Sequence, residues 1–565
     1  MSELLTGAQI LCRTLVDAGV EVMFGYPGGA IMPFYDALHG HAGLRHILVR
    51  HEQAAAHAAD GYARAGQRVG VCVATSGPGA TNLVTGLATA HMDGSPVLAI
   101  TGQVGRPMLG RDAFQETDVV GVTLPVTKHN VLVRDIEDLA DDVRDAMEIA
   151  MEGRPGPVLV DVPKDVQNQK AEYRESGAGS RGSVKPRLQT PASRLLDDEA
   201  IQEAARLIAQ AERPLLMIGR GVIVSGAYAE VRALAERTGM PVITTLLGIS
   251  AFPQSHELHL GMPGMHGEVH INKAIQAADL LVGIGMRFDD RVTGNTATFA
   301  PRAKIVHIDI DGAAIGRTVH NDVGLVGDAR SVLQQLLAEV GPRDCLPWRE
   351  EIAALMRQRE EAFAGGLSPE VILSALAEVT GGHCTVVSDV GQHQMWVAQR
   401  YPFQRPNTHI TSGGLGAMGF AVPAAMGVRL ARPGEPVWAI SGDGGFQMNM
   451  AEMATMVQEG VEVKIAIFNN GYLGMVRQWQ QFFHGGRYSN TPIWSPDYVK
   501  LADAYGIPGW RVKNASEVTD ALRQANETPG PTLVELVIEQ EANVFPMIVP
   551  GGSLSEPLEA APAST

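Results

Sequence analysis

The chain has 565 residues, a hydrophobic content of 45%, 63 glycines and a formal net charge of −17 at pH 7. A single hydrophobic core stops growing at about 250–300 residues, so two to four domains are expected. The acidic balance argues against a broad nucleic-acid or anionic-membrane surface, although it allows local basic sites for phosphates or carboxylates.

The N-terminal stretch "MSELLTGAQILCRTLVDAG" predicts an amphipathic helix, because it lacks the basic and long apolar regions of a signal peptide. The four cysteines form no C-x-x-C pair, which predicts reduced thiols in the cytoplasm and neither disulfides nor a zinc site. No apolar run reaches the roughly 18 residues of a membrane-spanning helix, so no membrane association is expected.

Short apolar runs alternate with helical stretches along the chain, and the clearest predicted helices are 51–65 and 80–93. The predicted strands are, in chain order, 69–75, 97–102, 158–162, 215–219, 242–245, 280–285, 304–310, 385–390, 437–444, 464–470 and 532–538. Continuous apolar strands separated by helices predict parallel sheets that are covered on both faces.

The composition changes at two places that are typical of linkers. Residues 171–195 are rich in Gly, Ser, Pro and charge, and residues 346–367 are strongly charged. Three α/β domains are therefore expected, at 1–170, 196–345 and 368–545, followed by a mobile tail at 546–565.

One carboxylate stands among glycines at the end of a predicted strand, in "AISGDGGFQMN". Asp443 is delivered by that strand, and Asn469 and Asn470 end the next one. The spacing suits one crossover, which would place Asp443 and Asn470 at neighbouring strand ends, where open α/β sheets bind ligands. Carboxylate and amide oxygens suit Mg²⁺ or Ca²⁺, and Mg²⁺ usually takes phosphate oxygens as well. A metal-bound diphosphate is predicted, although "GDG" alone is more typical of a turn.

A rival pattern lies in "GGLGAMG", which contains G-x-G-x-x-G at Gly414, Gly416 and Gly419. This spacing is also found in nicotinamide dinucleotide sites. The preceding "NTHITS" is a poor strand and no acidic ribose partner is evident, so the nicotinamide interpretation is the weaker one.

"GDG…NN" at this distance resembles the thiamine-diphosphate motif of thiamine-dependent enzymes. Over nearly the whole chain the sequence resembles the catalytic subunit of the acetohydroxyacid synthase (acetolactate synthase) family. The resemblance rests on "FGYPGGA", "RHEQAAAHAADGYAR", "ATSGPGATNLVTGLA", "GRDAFQETD", "RPGPVLVDVPKD", "RFDDRVTG", "GQHQMW", "TSGGLGAMGFAVPAAMG" and "NNGYLGMVRQWQ". It implies three doubly wound parallel-sheet domains: a pyrimidine-binding domain, a central FAD-binding domain and a diphosphate-binding domain.

The resemblance also implies an activity. Pyruvate is decarboxylated on thiamine diphosphate, and the hydroxyethyl carbanion condenses with a second 2-keto acid. Pyruvate as acceptor gives 2-acetolactate and 2-oxobutanoate gives 2-aceto-2-hydroxybutyrate, the first common step of branched-chain amino-acid (valine, leucine, isoleucine) biosynthesis. The implied cofactors are thiamine diphosphate, Mg²⁺ and FAD.

Glu52 opens the alanine-rich predicted helix. Taken alone, it would be a first-turn acid favoured by the helix dipole. The resemblance instead makes it the catalytic glutamate, which hydrogen-bonds the pyrimidine N1′ of the cofactor. A desolvated carboxyl can share a proton with a weakly basic ring nitrogen.

Other positions come from the resemblance alone. Those implied to contact thiamine diphosphate are Gly28, Glu52, Pro78, Asn82, Gln392, His393, Gly416, Met418, Gly442, Asp443, Gly444, Gly445, Asn470, Tyr472, Gly474 and Met475. The implied metal ligands are Asp443, Asn470 and the backbone carbonyl of Tyr472. The implied FAD contacts are Arg154, Gly219, Thr245, Met265, His266, Arg287, Asp309 and Asp328.

On the substrate side, Arg291 is expected to bind the acceptor carboxylate, for which the arginine fork is suited. Trp479 is expected to favour the larger 2-oxobutanoate, Gln115 to line the active site and Lys128 to contact an anion. A structural role remains open for Arg291 and Trp479, since "RFDDR" is also typical of a solvated salt-bridge cluster and a Trp is also typical of a plain core.

The family implies a homodimer or higher homo-oligomer in which Glu52 of one subunit meets Asp443 of the other; a small regulatory subunit is compatible with it. The alternative within thiamine enzymes is an FAD-dependent pyruvate oxidase. Glyoxylate carboligase is disfavoured because that relative lacks the glutamate found here as Glu52. A non-catalytic protein on the same scaffold is disfavoured by the retention of Glu52, Asp443 and Asn470. Gly105 and Arg111 depart from the common pattern, which leaves inhibitor sensitivity open.

Overall fold

The computed structural model describes residues 3–173, 197–356 and 367–561. These residues form three six-stranded sheets in which every neighbouring pair of strands is parallel. The predicted fold class is therefore confirmed. The linker expected at 171–195 lies outside the described residues from position 174 onward, and so does the second expected linker over 357–366.

The first unit, residues 3–173, begins with a short strand over Glu3–Thr6, and the helix predicted for the N-terminal stretch starts only at Gly7. Its strands are β1 (Glu3–Thr6), β2 (Val22–Gly25), β3 (Arg45–Leu48), β4 (Gly70–Ala74), β5 (Val97–Gln103), β6 (His129–Leu132), β7 (Val158–Pro163) and β8 (Lys170–Tyr173). Its helices are α1 (Gly7–Asp17), α2 (Met32–Leu38), α3 (Glu52–Gly66), α4 (Pro78–Asn82), α5 (Val84–Asp93), α6 (Val119–Thr123), α7 (Leu139–Met151) and α8 (Lys164–Asn168). The sheet order is β3-β2-β4-β5-β7-β6, and β1 pairs with β8 in a separate antiparallel ribbon.

The middle unit begins at residue 197. Its strands are β9 (Pro214–Ile218), β10 (Val242–Thr244), β11 (His259–Gly261), β12 (Leu280–Ile284), β13 (Lys304–Asp309) and β14 (Val323–Val326). Its helices are α9 (Asp198–Gln210), α10 (Arg220–Ser225), α11 (Tyr228–Thr238), α12 (Val269–Ala277), α13 (Asp290–Thr293), α14 (Ala329–Glu339) and α15 (Leu346–Met356). The order β11-β10-β9-β12-β13-β14 is that of dinucleotide-binding sheets, in which the direction of winding reverses between the first strand and the fourth.

The third unit repeats the strand order of the first, as β16-β15-β17-β18-β20-β19. Its strands are β15 (Thr385–Ser388), β16 (His409–Thr411), β17 (Val437–Gly442), β18 (Lys464–Asn469), β19 (Gly509–Val512), β20 (Thr532–Val537), β21 (Met547–Ile548) and β22 (Pro557–Leu558). Its helices are α16 (Pro369–Thr380), α17 (Gln392–Arg400), α18 (Ala421–Ala431), α19 (Asp443–Asn449), α20 (Glu452–Glu459), α21 (Gly474–Phe483), α22 (Tyr498–Ala504) and α23 (Val518–Glu527). Short 3-10 turns occupy Arg106–Met108, Leu124–Val126, Leu246–Gly248, Thr296–Thr298 and Ala515–Glu517.

The middle unit extends beyond the boundary expected at residue 345. Helix α15 lies within the stretch that was expected to be a linker. It buries Trp348 and Ile352 in the core of the middle unit, and the Trp348 indole donates to the carbonyl of Pro214 at 3.2 Å. The charged residues of this helix, Arg349, Glu350 and Glu351, are exposed or only partly buried.

The tail is also ordered over its described part. Strands β21 and β22 form an antiparallel hairpin, and Met547, Ile548 and Leu554 are buried. The backbone N–H of Ile548 donates to the carbonyl of Met265 at 2.8 Å, so the tail folds back on the middle unit. The expectation of a mobile tail is wrong for these residues, because their few apolar side chains are covered by that unit.

Helix α3 joins the first unit to the third. It packs against α18 at such close range that a Cβ on Gly61 would lie 2.1 Å from the carbonyl oxygen of Ala424. At the end of α3, buried Arg64 binds Asp60 at 2.6 Å and Asp93 at 2.9 Å, and donates to the carbonyl of Thr411. One guanidinium therefore links α3, α5 and the third sheet.

Replacing Arg64 by leucine should destabilise the fold strongly, because Asp60 and Asp93 would remain buried without their cation. Breaking a buried pair in this way costs about 3–5 kcal/mol. Thermal unfolding should show a large drop in midpoint. The matched control is Arg206→Leu, which breaks an exposed pair with Glu203 and should shift the midpoint little. Equal shifts in the two variants would contradict this assignment.

Candidate active site

A pocket lies at the carboxyl edge of the third sheet, where the neighbouring strands β15, β17 and β18 end. Helices α17 and α21 begin at this pocket, so the first-turn N–H groups that helices leave without intrahelical partners lie beside it. The residues of the predicted cofactor site that line it are Gln392, His393, Met418, Gly442, Asp443, Gly444, Gly445, Asn470, Tyr472, Gly474 and Met475. Gly416 is exposed in the loop before Met418 and is not among the lining residues.

Asp443 and Asn470 lie close together, as their positions at neighbouring strand ends predicted. Asp443 is the first residue of α19, and its Oδ2 accepts from the backbone N–H of Gly471 at 2.7 Å. The side chain of Asn470 is buried; its Oδ1 accepts from the backbone of Tyr472 at 3.1 Å, and its amide nitrogen donates to Gln392 at 3.3 Å. An acid, an amide and the Tyr472 backbone thus lie around one point of the pocket.

This group of residues fits a divalent cation that is shared with a ligand. Burial raises the pKa of Asp443 to about 6, and the N–H groups of Gly471 and Gly444 oppose the shift. A bound cation would favour the ionised form. Among residues 3–173, 197–356 and 367–561 there is no cluster of three His, Cys, Asp or Glu side chains able to hold a metal alone. An ion held by one carboxylate would need further oxygens, as Mg²⁺ takes from phosphates.

Mg²⁺ binding should weaken below about pH 6, because the metal must then displace a proton from Asp443. The raised pKa also implies that the metal-free protein loses stability as pH rises through about 6, where this carboxyl ionises without a partner. The thermal shift caused by Mg²⁺ with thiamine diphosphate should therefore be larger at pH 7.5 than at pH 5. In Asp443→Asn, which cannot ionise, the part of the pH dependence that comes from this group should disappear. An identical pH dependence in both proteins would contradict the prediction.

His393 adds an unsatisfied polar atom to the pocket. It is buried, and its Nε2 has no hydrogen-bond partner within the described parts of the chain. Burial lowers its pKa to about 3, so the ring is neutral and carries a single N–H, for which the backbone of Asp389 is a partner. Close by, a Cβ on Gly474 would lie 2.2 Å from Oε1 of Gln392, which explains the glycine. The two helix N-termini beside this neutral ring fit an anionic diphosphate.

A second group of predicted residues meets at the carboxyl edge of the first sheet. Glu52 is the first residue of α3, and its Oε2 accepts from the amide of Asn82 at 2.9 Å. A Cβ on Gly79, next to the predicted Pro78, would lie 3.3 Å from Oε1 of Glu52. Gly28 and Gln115 join this group through tight contacts, the first with Thr75 and the second with Gly77.

The two groups remain separate within one chain. Glu52 is not among the residues that line the Asp443 pocket, and the hydrogen bonds found for it in the described chain lie within the first unit. The first group contains the candidate acid and the third-sheet pocket contains the candidate metal and diphosphate ligands, so the described chain holds two candidate half-sites.

The positions predicted to contact FAD lie along the carboxyl edge of the middle sheet. They follow successive strands: Gly219 after β9, Thr245 after β10, Met265 and His266 after β11, Arg287 after β12, Asp309 at the end of β13 and Asp328 after β14. Gly219 and Gly285 flank the switch point, and a Cβ on Gly219 would lie 2.4 Å from the carbonyl oxygen of Gly285. Arg154 comes from the first unit and donates to the carbonyls of His91 and Met92. Such an edge fits an extended dinucleotide.

The structure brings two predicted substrate residues to one cluster. Arg291 is largely exposed, and its Nη1 lies 3.4 Å from the sulfur of Met265. Met265 packs with Phe482 and Met547, and Trp479 packs against the same cluster. Arg291 and Trp479, from different units, therefore flank Met265.

Lys128 is engaged elsewhere. Its ammonium donates to the carbonyl of Ile149 at 2.5 Å and to that of Glu152 at 2.6 Å, at the C-terminal end of α7. Burial lowers its pKa to about 8. These contacts give Lys128 a helix-capping role, and its predicted anion contact stays a prediction.

Comparison with known proteins agrees with this layout. Residues 5–122 match the thiamine pyrophosphate enzyme N-terminal TPP binding domain, residues 201–336 the central domain and residues 389–536 the C-terminal TPP binding domain. The chain is 48% identical over 571 residues to the acetolactate synthase large subunit of Mycobacterium tuberculosis, covering 98% of this chain and 91% of that one. It belongs to the acetolactate synthase large-subunit family.

Other members of the family are almost as similar. The large subunit from Corynebacterium glutamicum is 47% identical over 569 residues, covering 98% of this chain and 90% of the relative. The isozyme 3 large subunit of Escherichia coli is 41% identical over 581 residues, covering 98% of both chains. The resemblance drawn from motifs is confirmed, thiamine diphosphate is the cofactor of the fold, and the pyruvate oxidase alternative is not favoured.

The sequence analysis of this acetolactate synthase family member missed Asp389, which follows β15. Asp389 is fully buried and accepts at 2.8 Å from the backbone of Gly419, from the backbone of Val390 and from the hydroxyl of Ser441. It ties the Met418 loop to the strand that delivers Asp443. Its position at the end of a predicted strand was the available signal.

The same family member has no helix, in the described ranges, with the length and apolarity needed to cross a bilayer.

Proposed function

We propose that this chain condenses two molecules of pyruvate to 2-acetolactate with loss of carbon dioxide, and also accepts 2-oxobutanoate to give 2-aceto-2-hydroxybutyrate. The observation that carries the proposal is the pair of half-sites: Glu52 with Asn82 on the first sheet, and Asp443 with Asn470 on the third. Both lie at carboxyl edges of parallel sheets, on a chain of the acetolactate synthase family.

The third-sheet pocket would bind the diphosphate end of the cofactor. Asp443, Asn470 and the Tyr472 carbonyl would hold Mg²⁺, and His393 and the helix N-termini would face the phosphate oxygens. Met418 lies half-buried at the pocket wall, where its flexible side chain would pack against the cofactor. Bound thiamine diphosphate supplies the electron sink for decarboxylation.

Glu52 would hold a proton at the pyrimidine N1′ of the cofactor. Its Oε2 is engaged by Asn82, and the missing side chain of Gly79 leaves room beside Oε1. Asn82 therefore orients the carboxyl, and Oε1 remains for the ring nitrogen. Gly28, Pro78 and Gln115 would shape the surrounding wall.

A homodimer would complete both sites by pairing the Glu52 half of one copy with the Asp443 half of the other. Exposed apolar side chains support this reading. Phe114, beside Gln115, is 88% exposed, and Trp494, in the segment after Tyr472, is 81% exposed. Large apolar side chains exposed near a functional edge are typical of interaction surfaces. Whether the assembly also includes a small regulatory subunit stays a proposal from the family.

On the substrate side, Arg291 would bind the acceptor carboxylate and Trp479 would contact its alkyl group. The middle sheet edge would bind FAD through the residues from Gly219 to Asp328, with Arg154 reaching from the first unit. The transfer of a two-carbon unit needs no net electron acceptor, so FAD would serve the structure of the site.

Product identification tests the function. The purified protein with thiamine diphosphate, Mg²⁺ and FAD is supplied with pyruvate, with and without 2-oxobutanoate. Acetolactate, seen as acetoin after acid decarboxylation, supports the proposal. Hydrogen peroxide or acetyl phosphate as the product would instead indicate a pyruvate oxidase, and no consumption of pyruvate would support a non-catalytic protein.

A further inference from the structure

The first turn of α20, in the third unit, holds the backbone just before Glu52. Oε1 of Glu452 accepts from the backbone N–H of Arg50 at 2.8 Å. The hydroxyl of Thr455 lies 3.2 Å from the carbonyl oxygen of Leu48 and 2.7 Å from Oε2 of Glu452. Glu452 therefore binds the connection between β3 and α3 at Arg50, and Thr455, which donates its one proton to the nearer Glu452, lies against the connection at Leu48.

This contact is buried. Glu452 is 1% exposed, and Val49, beside Arg50, is fully buried. Burial raises the pKa of Glu452, and the hydrogen bonds from Thr455 and from the Arg50 backbone oppose the shift. A buried carboxyl that accepts from backbone N–H groups fixes those groups more firmly than a solvent-exposed contact would.

The connection leads directly into the candidate catalytic acid. His51 is the N-cap of α3 and its side chain accepts from the backbone of Gln53, so Glu52 follows Arg50 by two residues at the start of a capped helix. Further along, α3 packs so closely against α18 that there is no room for a Cβ on Gly61. The start of α3 is thus held by α20 and its body by α18, both from the third unit.

We propose that Glu452 is a positioning residue that sets the place of Glu52 through the backbone of Arg50. The proposal rests on the proposed role of Glu52 as the acid that meets the cofactor ring. Asn82 orients the carboxyl group of Glu52, and Glu452 fixes the backbone from which that side chain extends. Glu452 follows the last residue of α19 by three residues, so the helix that begins with Asp443 and the contact with Arg50 belong to one continuous segment.

Glu452→Gln tests this with little change in volume. The variant removes the negative charge and replaces the oxygen that faces Thr455 by an NH₂ group, so the acceptor for the Arg50 N–H becomes a neutral amide oxygen, a weaker partner. We expect faster amide hydrogen exchange in residues 49–56 of the protein without cofactor. With thiamine diphosphate and Mg²⁺ bound, deuterium exchange at C2 of the cofactor should slow by about tenfold to 100-fold, since small misplacements of a catalytic group cost that much. The dissociation constant of the cofactor and the KM for pyruvate should change less than twofold.

Two further variants sharpen the result. Gln458→Ala removes a contact between the same elements, the 2.7 Å hydrogen bond from the Arg50 side chain at the surface, and should leave both exchange rates unchanged. Thr455→Val removes the hydroxyl that donates to Oε2 of Glu452 and lies beside the Leu48 carbonyl, and it should change both rates in the same direction as Glu452→Gln. In Glu52→Gln/Glu452→Gln, C2 exchange should be no slower than in Glu52→Gln alone.

The outcomes separate this inference from the proposed function. Normal C2 exchange in Glu52→Gln would remove the role of Glu52 itself. Slow exchange in Glu52→Gln together with normal exchange in Glu452→Gln would leave that role intact and overturn the positioning by Glu452. Slower C2 exchange in Glu452→Gln without faster amide exchange in residues 49–56 would also overturn it, because the effect would then not pass through the backbone.

Discussion

Replacing Glu52 by glutamine should lower the turnover of pyruvate by about 10²–10⁴-fold, the range expected when a positioned acid is lost. Glutamine keeps the size of the side chain and the bond from Asn82 to an oxygen, but it cannot hold a proton between Oε1 and the ring nitrogen of the cofactor. Turnover should fall while the affinity for thiamine diphosphate and Mg²⁺ stays within a few-fold, because the ligands proposed for the diphosphate and metal lie in the third-sheet pocket. Steady-state kinetics and cofactor titration measure the two effects separately.

The exposed Glu172→Gln, in the same unit, is the control and should be indistinguishable from the unsubstituted protein. The turnover of Asn82→Ala should lie between those of Glu52→Gln and the unsubstituted protein, because this variant keeps the acid but loses the hydrogen bond that orients it. Full activity in Glu52→Gln would remove the proton relay from the proposed function. A parallel loss of activity and cofactor affinity would show that Glu52 acts through the shape of the site.

The two separate half-sites also permit a mixing experiment within the same argument. If each complete site combines Glu52 of one copy with Asp443 of another, a mixture of Glu52→Gln and Asp443→Ala chains can form one intact site per mixed dimer. Activity that appears on mixing two inactive variants would support the shared site, and its absence in verified mixed dimers would contradict it.

The buried strands of the fold could be predicted because they are continuous apolar runs. The runs at 69–75, 97–102 and 437–444 became β4, β5 and β17 with ends shifted by one or two residues. Edge strands were harder: β16 is only three residues long and contains a histidine and a threonine, so "NTHITS" looked unlike a strand. It pairs through its backbone with β15, and backbone pairing leaves little trace in side-chain type.

The glycine pattern "GGLGAMG" shows a similar limit. Strand β16 does precede these glycines and α18 follows, so the local context of a dinucleotide motif is present. In the structure these glycines contact a carboxylate of the first unit. The backbone N–H groups of Gly413 and Gly414 donate to Asp93, and a Cβ on Gly414 would lie 2.7 Å from that carboxylate. This contact spans 321 residues of sequence between Gly414 and Asp93, and no local pattern reports it.

The candidate site divides in the same way. Asp443 and Asn470 could be paired from sequence, because one crossover separates two strand ends. Asp389 and Glu452 were missed, because each acts on backbone atoms far away in the chain, and a lone acid beside a helix start is usually only a first-turn residue. Helix α15 was predicted to be a linker because its sequence is strongly charged. Trp348 is buried against a surface of the middle unit, and the local sequence does not show that surface.

Replacing Asp443 by alanine should raise the Mg²⁺ concentration needed for cofactor binding by about 100-fold or more, since even outer-shell changes at metal sites cost 10–100-fold. Asp443 is the only carboxylate among the residues that line the described pocket, so no neighbour can replace its charge. The Mg²⁺ concentration that Asp443→Asn needs should lie between those of the unsubstituted protein and Asp443→Ala, because asparagine retains an oxygen at the same place. Mg²⁺ titrations followed by the binding of thiamine diphosphate would measure this order.

The thermal stability of Asp443→Asn without metal is the control for this prediction. Burial raises the pKa of Asp443 to about 6, so at pH 7.5 the metal-free protein carries a buried, unpaired negative charge that opposes folding. Asp443→Asn removes that charge and leaves an oxygen for the N–H of Gly471, so the metal-free variant should melt no lower than the unsubstituted protein. Stabilisation by Mg²⁺ with thiamine diphosphate should nevertheless be smaller in this variant at the same Mg²⁺ concentration. An unchanged Mg²⁺ titration would contradict the metal assignment, whereas a lower melting point without cofactor would mean that Asp443 is retained for the fold and not for the ion.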